Sequence, residues 1–512
     1  MCRMIKGLLL LVLLAGGVDS VAAQDKSSSI TEAEIRDHMF FLASDALGGR
    51  DTGSPGYAIA ADYAATQFHG AGVLPGGIGA DGAPTFFQPV ALSRFSMGGD
   101  TRLALNLDGI DRQLDLGQDY FVQTNAWGRS EAISGPLVFA GYGMQATDQG
   151  WNDLDGLELN GSIPIVLFGQ PGEELTSAFA GESIGNSWLH FQRKIQLLEG
   201  KGAKAVVAVL EPAMYGRWNS YLSRYSGARL GVAGRGGASQ FPEAKIPVVF
   251  LSQAELATLF GATGFDPGKL EGTYGTFPLE NARMEGMIHG LQEDVASPNV
   301  IGLVEGTDPV LKNEYLVVGA HLDHIGMGDG DVRNGADDNA SGSIGVMEIA
   351  EAVAMAPLKR SVLFVLYTGE EKGLLGARYF VENSPVALEQ IVANINIEMI
   401  GRWSHRPLGS GGLFSIIGTD EDGALRSALT KVNEGAFDYQ LDAPQEFIGG
   451  SDHAAFQGVG IPNITIAGSP PNGTHEDYHG AGDEAEKIEF PAMRKAAALI
   501  YALTVELANR GG

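Results

Sequence analysis

Two acids stand side by side in Tyr367-Thr-Gly-Glu370-Glu371-Lys-Gly. Adjacent side chains diverge, so one carboxylate can bind a metal while its neighbour stays free to carry a proton. Metal-assisted hydrolysis needs that pairing: a Lewis acid that lowers the pKa of water, and a base that takes its proton. Further positions could complete a metal site. His321 and Asp338 bracket a Gly/Asp/Asn-rich loop, and Glu398 and His479 follow later in the chain. Imidazole with carboxylate suits zinc. Each residue also has a plainer use. Asp338 suits a turn, Glu371 suits a helix N-terminus, and an isolated histidine is more often a surface or core residue than a ligand. Glu398 is hardest to explain away, because Ile395, Ile397 and Met399 predict a buried strand, where an unpaired carboxylate is costly.

These residues must be carried by strands and the loops that follow them. From residue 298 onward, apolar strand-like runs at 299–304, 315–320, 361–367, 392–399, 414–417 and 461–466 alternate with helical patterns at 341–356, 374–383, 421–432 and 490–509. That alternation predicts an α/β fold, a mostly parallel mixed sheet with helices on both faces. Ligands in such sheets sit beyond the carboxyl ends of strands, where these residues fall. Residues 30–75 predict two helices, the first opened by a capping box at Thr31-Glu-Ala-Glu. Between about 135 and 278 the runs are β-like, with one strong helix pattern at 191–200 and no dense cluster of chemically active residues.

The chain has 512 residues, 44% hydrophobic, with a formal net charge of −28. It is long enough for two or three domains. The acidity argues against nucleic-acid binding, which needs a basic surface. Arg3 and Lys6 precede a short apolar run at 8–15, and Val21-Ala22-Ala23 is a small-residue cleavage pattern, so residues 1–23 read as a signal peptide. Cleavage near Gln24 would remove Cys2, the one cysteine, and leave a periplasmic or secreted protein without disulfides or stable membrane insertion.

Five segments together resemble the co-catalytic di-zinc aminopeptidases, the secreted bacterial leucyl-type enzymes and their relatives. They are Gly-Ala-His321-Leu-Asp323, Gly-Ala-Asp-Asp338-Asn-Ala-Ser-Gly, Gly-Glu370-Glu371-Lys-Gly-Leu-Leu-Gly, Asn-Ile-Glu398-Met-Ile-Gly and Asp-Tyr478-His479. The resemblance implies two Zn2+ per chain, bridged by Asp338. His321 and Glu398 would complete one site, and Glu371 and His479 the other. Asp323 would accept a hydrogen bond from the His321 ring, and Glu370 would be general base and then acid. Tyr478 would either stabilise the oxyanion or simply pack. A cis peptide is expected after Asp338. Many members carry Asp where this chain has Glu398, a longer ligand.

The intervening segment resembles a protease-associated domain, through Val138-Phe-Ala-Gly-Tyr-Gly, Trp151-Asn-Asp-Leu-Asp-Gly-Leu and residues 194–208. The expected organisation is therefore a peptidase domain from 24–125 and 285–512, with an inserted β-rich α/β domain at 126–284. The implied activity is removal of N-terminal residues from peptides by a metal-bridging hydroxide. A carboxypeptidase or dipeptidase on the same scaffold stays open, with Arg402 as the group for the substrate carboxylate. So do a single-zinc glutaminyl cyclase and a non-catalytic receptor-like module. His475-Glu-Asp-Tyr-His479 matches H-E-x-x-H, but flanking Pro and Gly argue against the helix that motif needs. Gly181-Glu-Ser183-Ile-Gly185 matches a nucleophile elbow but lacks the preceding strand. His324 and Asp337 are not expected as primary ligands.

Overall fold

The computed structural model describes residues 25–511 except 80, 124–127, 170, 172–190, 233–244, 262, 270, 273, 329, 403–412, 418–422, 438, 443–449 and 469–474. The expected signal peptide at 1–23 and the Ser183 match lie outside the described residues.

The larger sheet contains β1 (Asn299–Val304), β2 (Tyr315–His321), β3 (Ser361–Tyr367), β4 (Ile391–Glu398), β5 (Leu413–Ile417) and β6 (Asn463–Ala467). Their spatial order is β1-β3-β2-β4-β6-β5. The central four are mutually parallel, and β1 and β5 run antiparallel to their neighbours. Every residue of β3 is buried, as are nearly all of β2 and β4. That explains the unbroken apolar runs: a parallel sheet is covered on both faces, so its strands need not alternate.

The covering helices include α1 (Glu32–Leu42), α2 (Pro55–Gly70), α3 (Gly342–Met355), α4 (Leu375–Glu382) and α5 (Phe490–Asn509). Thr31 caps α1 as expected, accepting from the Glu34 amide and donating to its carboxylate at 2.7 Å. Ser54 caps α2, with Pro55 opening its first turn. Helix α3 is buried along nearly its whole length. Its first residue must be glycine: a Cβ at Gly342 would lie 2.6 Å from the Ile397 carbonyl oxygen of β4. No helix among the described residues is long and apolar enough to cross a membrane.

A second, eight-stranded sheet has its own core, centred on Phe139, Ile165, Val207 and Val249. Its parallel centre is formed by Glu131–Phe139, Ile163–Leu167, Val206–Val209 and Val248–Leu251. The helix expected at 191–200 is present as Phe191–Gly200. This sheet reaches outside the expected 126–284 segment. Strands Arg102–Leu107, Ile110–Leu114 and Tyr120–Val122 also pair within it. The long strand Phe277–Ile288 lies between Arg102–Leu107 and Glu131–Phe139 and recruits them. A three-stranded sheet (Ala91–Met97, Arg229–Val232, Gly290–Ala296) joins the two parts. Its Leu92 and Val295 pack on Leu375, at the start of α4.

Candidate metal centre

Three parallel neighbours, β3, β2 and β4, end on the same edge of the larger sheet. His321 is the last residue of β2 and Glu398 the last of β4, while Glu370 and Glu371 follow β3. Asp338 comes from the loop between Gly335 and α3, where the Asp338–Asn339 peptide is cis. His479 lies in a turn rather than a helix, so H-E-x-x-H does not act as a helical motif here.

Asp338 divides its oxygens between two clusters. Oδ1 lies 3.4 Å from His321 Nε2, which is 3.2 Å from Glu398 Oε1. Oδ2 lies 3.3 Å from His479 Nε2, which is 3.4 Å from Glu371 Oε2. Two nitrogen or oxygen ligands of a tetrahedral zinc ion, each about 2.0–2.1 Å from it, stand roughly 3.3 Å apart. The spacings in both clusters therefore fit a small divalent cation, and the longer Glu398 side chain reaches its place. His321, Asp338 and Glu398 are all buried, and His479 is partly exposed. Burial of so many acids is tolerable only with compensating positive charge. Burial pushes the Glu371 carboxyl up to about 8, with the neighbouring Asp338 charge adding to it.

The surrounding residues fix this geometry. Asp483 accepts hydrogen bonds from the amides of Asp337 and Asp338 at 3.0–3.1 Å. The Asn339 side chain accepts from the Gly342 and Met399 amides and donates to the Ile397 carbonyl, which ties the loop to the end of β4. Asp337 stays outside both clusters; it accepts from the Gly401 and Arg402 amides at 2.7 and 3.0 Å. Arg50, fully buried, donates to the carbonyls of Leu322, Leu42, Asn334 and Gly335 at 2.6–3.0 Å.

Asp323 differs from the expectation. The His321 Nδ1 faces the backbone carbonyl of Asp323 at 3.0 Å, while the nearest carboxylate oxygen is 4.0 Å away. The carboxylate is engaged elsewhere. It accepts from the Thr52 hydroxyl at 2.9 Å and the Glu370 amide at 3.1 Å, and so positions the turn that carries the two acids. Burial pushes the Glu370 carboxyl well above its ordinary range; Glu371, Asp452 and Glu398 reinforce this and His321 opposes it. Tyr478 stacks on the His479 ring at 3.8 Å.

Three residues near the centre were not expected to take part in it. Ser451 donates to Glu398 Oε2 at 2.6 Å and accepts from Asn396 at 2.9 Å. Asp483 has no local motif. His324 lies beside Asp338 and Glu371. Its only signal was a second imidazole three residues after His321. Arg402, the candidate carboxylate anchor, is already engaged by Asp477 at 2.7 Å and His475 at 3.2 Å.

Residues 299–504 match the profile of Peptidase family M28. The chain is 26% identical over 285 residues to leucine aminopeptidase 2 of Trichophyton equinum, covering 47% of this chain and 56% of that protein. It is 32% identical over 226 residues to a probable leucine aminopeptidase 2 of Aspergillus oryzae, covering 40% and 43%. It thus spans about half the length of these relatives. Among solved structures, the aminopeptidase of Aneurinibacillus sp. strain AM-1 matches with a TM-score of 0.57 and 17% identity, over 96% of this chain and 97% of that one. The zinc aminopeptidase BSAP of Bacillus subtilis matches with a TM-score of 0.51 and 19% identity, over 94% and 96%. The α/β fold is shared with both.

Proposed function

We propose that this chain, whose residues 299–504 belong to Peptidase family M28, is an exported zinc aminopeptidase that removes N-terminal residues from peptides. The observation that carries the reading is the paired cluster around Asp338, with a further carboxylate, Glu370, held beside it. His321, Asp338 and Glu398 would hold one zinc ion; Asp338, Glu371 and His479 would hold the second. Zinc at these positions would supply an activated water and polarise the scissile carbonyl.

The chain's own residues then have defined tasks. Glu370, whose amide is held by Asp323 so that its carboxylate stays beside the clusters, accepts the proton of the attacking water and delivers it to the leaving amine. Asp323 and Thr52 keep its turn in place. Tyr478, stacked on the His479 ring, would donate to the developing oxyanion. The second sheet and its joining strands, packed on α4, would form the protease-associated-like unit flanking the cleft.

Arg402 is already paired, which disfavours a carboxypeptidase reading. The two clusters disfavour a single-zinc cyclase, and Glu370 beside them disfavours a non-catalytic module. Replacing Glu370→Gln tests the assignment. Zinc content should stay near wild type while turnover on aminoacyl substrates falls by about 10²–10⁴-fold, the usual scale of general base catalysis. Near-normal turnover would remove Glu370 from the mechanism.

A further inference from the structure

His324 plays no part in the scheme above, yet it is fully buried beside Asp338 and Glu371. Its Nδ1 stands 2.8 Å from Glu371 Oε1 and 3.8 Å from Asp338 Oδ2. The 2.8 Å approach does not have hydrogen-bond geometry. His324 Nδ1 and Glu371 Oε1 are both left without a hydrogen-bond partner among the described residues, as is His324 Nε2 on the far side of the ring. A buried nitrogen and a buried carboxylate oxygen that face each other without bonding are each costly. Both are satisfied if they point at a common cation.

The spacings allow it. Two ligands about 2.0–2.1 Å from one metal ion can be no more than about 4.1 Å apart, and both distances from Nδ1 fall inside that span. His324 and His479 then approach the same carboxylates from two sides. Glu371 turns Oε1 to His324 and Oε2 to His479, while Asp338 Oδ2 faces both rings. The ring is also held from behind. A Cβ at Gly335 would lie 2.4 Å from its Cγ, so only glycine fits there, and the His324 amide donates to the Arg50 carbonyl at 3.3 Å. We infer that His324 is a further protein ligand of the Glu371–His479 metal site, which would then hold its ion with four side chains rather than three. The inference rests on the metal-centre reading above.

Cobalt substitution of the full-length protein tests it without reference to activity. Imidazoles bound to Co2+ give hyperfine-shifted, exchangeable N–H proton resonances. The dicobalt protein should show three of them, from His321, His479 and His324. His324→Gln should remove one and weaken binding of one Co2+ equivalent by about 10–100-fold, as losses around a metal site commonly do. Glutamine keeps a hydrogen-bond donor, so a residue that merely oriented Glu371 would be largely replaced by it. Two resonances in the wild type, with two Co2+ bound, would overturn the His324 assignment and leave the centre standing. No shifted resonance at all would overturn the metal centre itself.

Discussion

Arg50 offers the most direct test of how the loop before Asp338 is held. Its guanidinium is fully buried and makes four hydrogen bonds to backbone carbonyls, two of them at Asn334 and Gly335 in that loop. Burial lowers its pKa to about 10, opposed by Asp323, Asp483, Asp338 and Glu371, so it stays charged at neutral pH. Replacing Arg50→Met removes four charge-assisted bonds of about 1.5–3 kcal/mol each, roughly 6–12 kcal/mol in all. Against that stands the relief of several kcal/mol of desolvation for the buried ion. The net loss should be about 4 kcal/mol. Arg50→Lys, with too few donors for four carbonyls, should lose about half as much. Urea unfolding followed by far-UV circular dichroism measures this. The protein supplies its own control, because Trp151 and Trp218 pack against the cores of the second sheet. The tryptophan fluorescence transition should stay in place while the dichroism transition moves to lower urea. A loss below about 1 kcal/mol in Arg50→Met would refute the reasoning, because one ordinary hydrogen bond contributes that much.

Two further outcomes follow from Glu348 and Ser451. Glu348 on α3 has its pKa raised from 4.5 to about 8 by burial, with Glu34 and Glu351 adding. Because the folded value lies above the unfolded one, stability should be fully present below about pH 4.5 and fall as pH rises towards 8, by about 2–5 kcal/mol. Glu348→Gln should therefore match the wild type near pH 5 and melt higher at pH 8.5; equal melting at both pH values would contradict this. Ser451→Ala removes the donor to Glu398 Oε2. It should weaken zinc at the His321–Glu398 site by about 10–100-fold by competitive chelator titration, and unchanged affinity would show that Glu398 needs no such support.

The strands and helices of the larger sheet were legible because a doubly covered parallel sheet writes itself as uninterrupted apolar runs, and each of the six central strands lies within two residues of its expected limits. The residues that gather around Asp338 were legible because each sits at a strand end or in the loop just after one. What was not legible depends on distant partners. Leu47-Gly-Gly-Arg50 reads as a loop, and nothing local says that the arginine turns inward to carbonyls at 322, 334 and 335. Asp323 reads as the histidine's acceptor, but Thr52, 271 residues away, shares its carboxylate with the Glu370 amide. Residues 87–124 show strand-like alternation in the sequence. The membership of the strands at 102–122 in the second sheet is decided by Phe277–Ile288, whose pairing across both neighbours leaves no local mark.

The distance in sequence between Arg50 and its partners has a consequence for how the protein is made. The carbonyls of Leu322, Asn334 and Gly335 follow it by 272 to 285 residues. At a synthesis rate of about 5–20 residues per second, the N-terminal segment waits roughly 15–60 s before those partners exist. The second sheet can close in that interval, because its strands are complete once Phe277–Ile288 has emerged. The core of the larger sheet, by contrast, must recruit its first two helices from the opposite end of the chain. Helices α1 and α2 are thus exposed during translation with apolar faces uncovered, and their seating, with Arg50 as the latch, would be among the last events of folding.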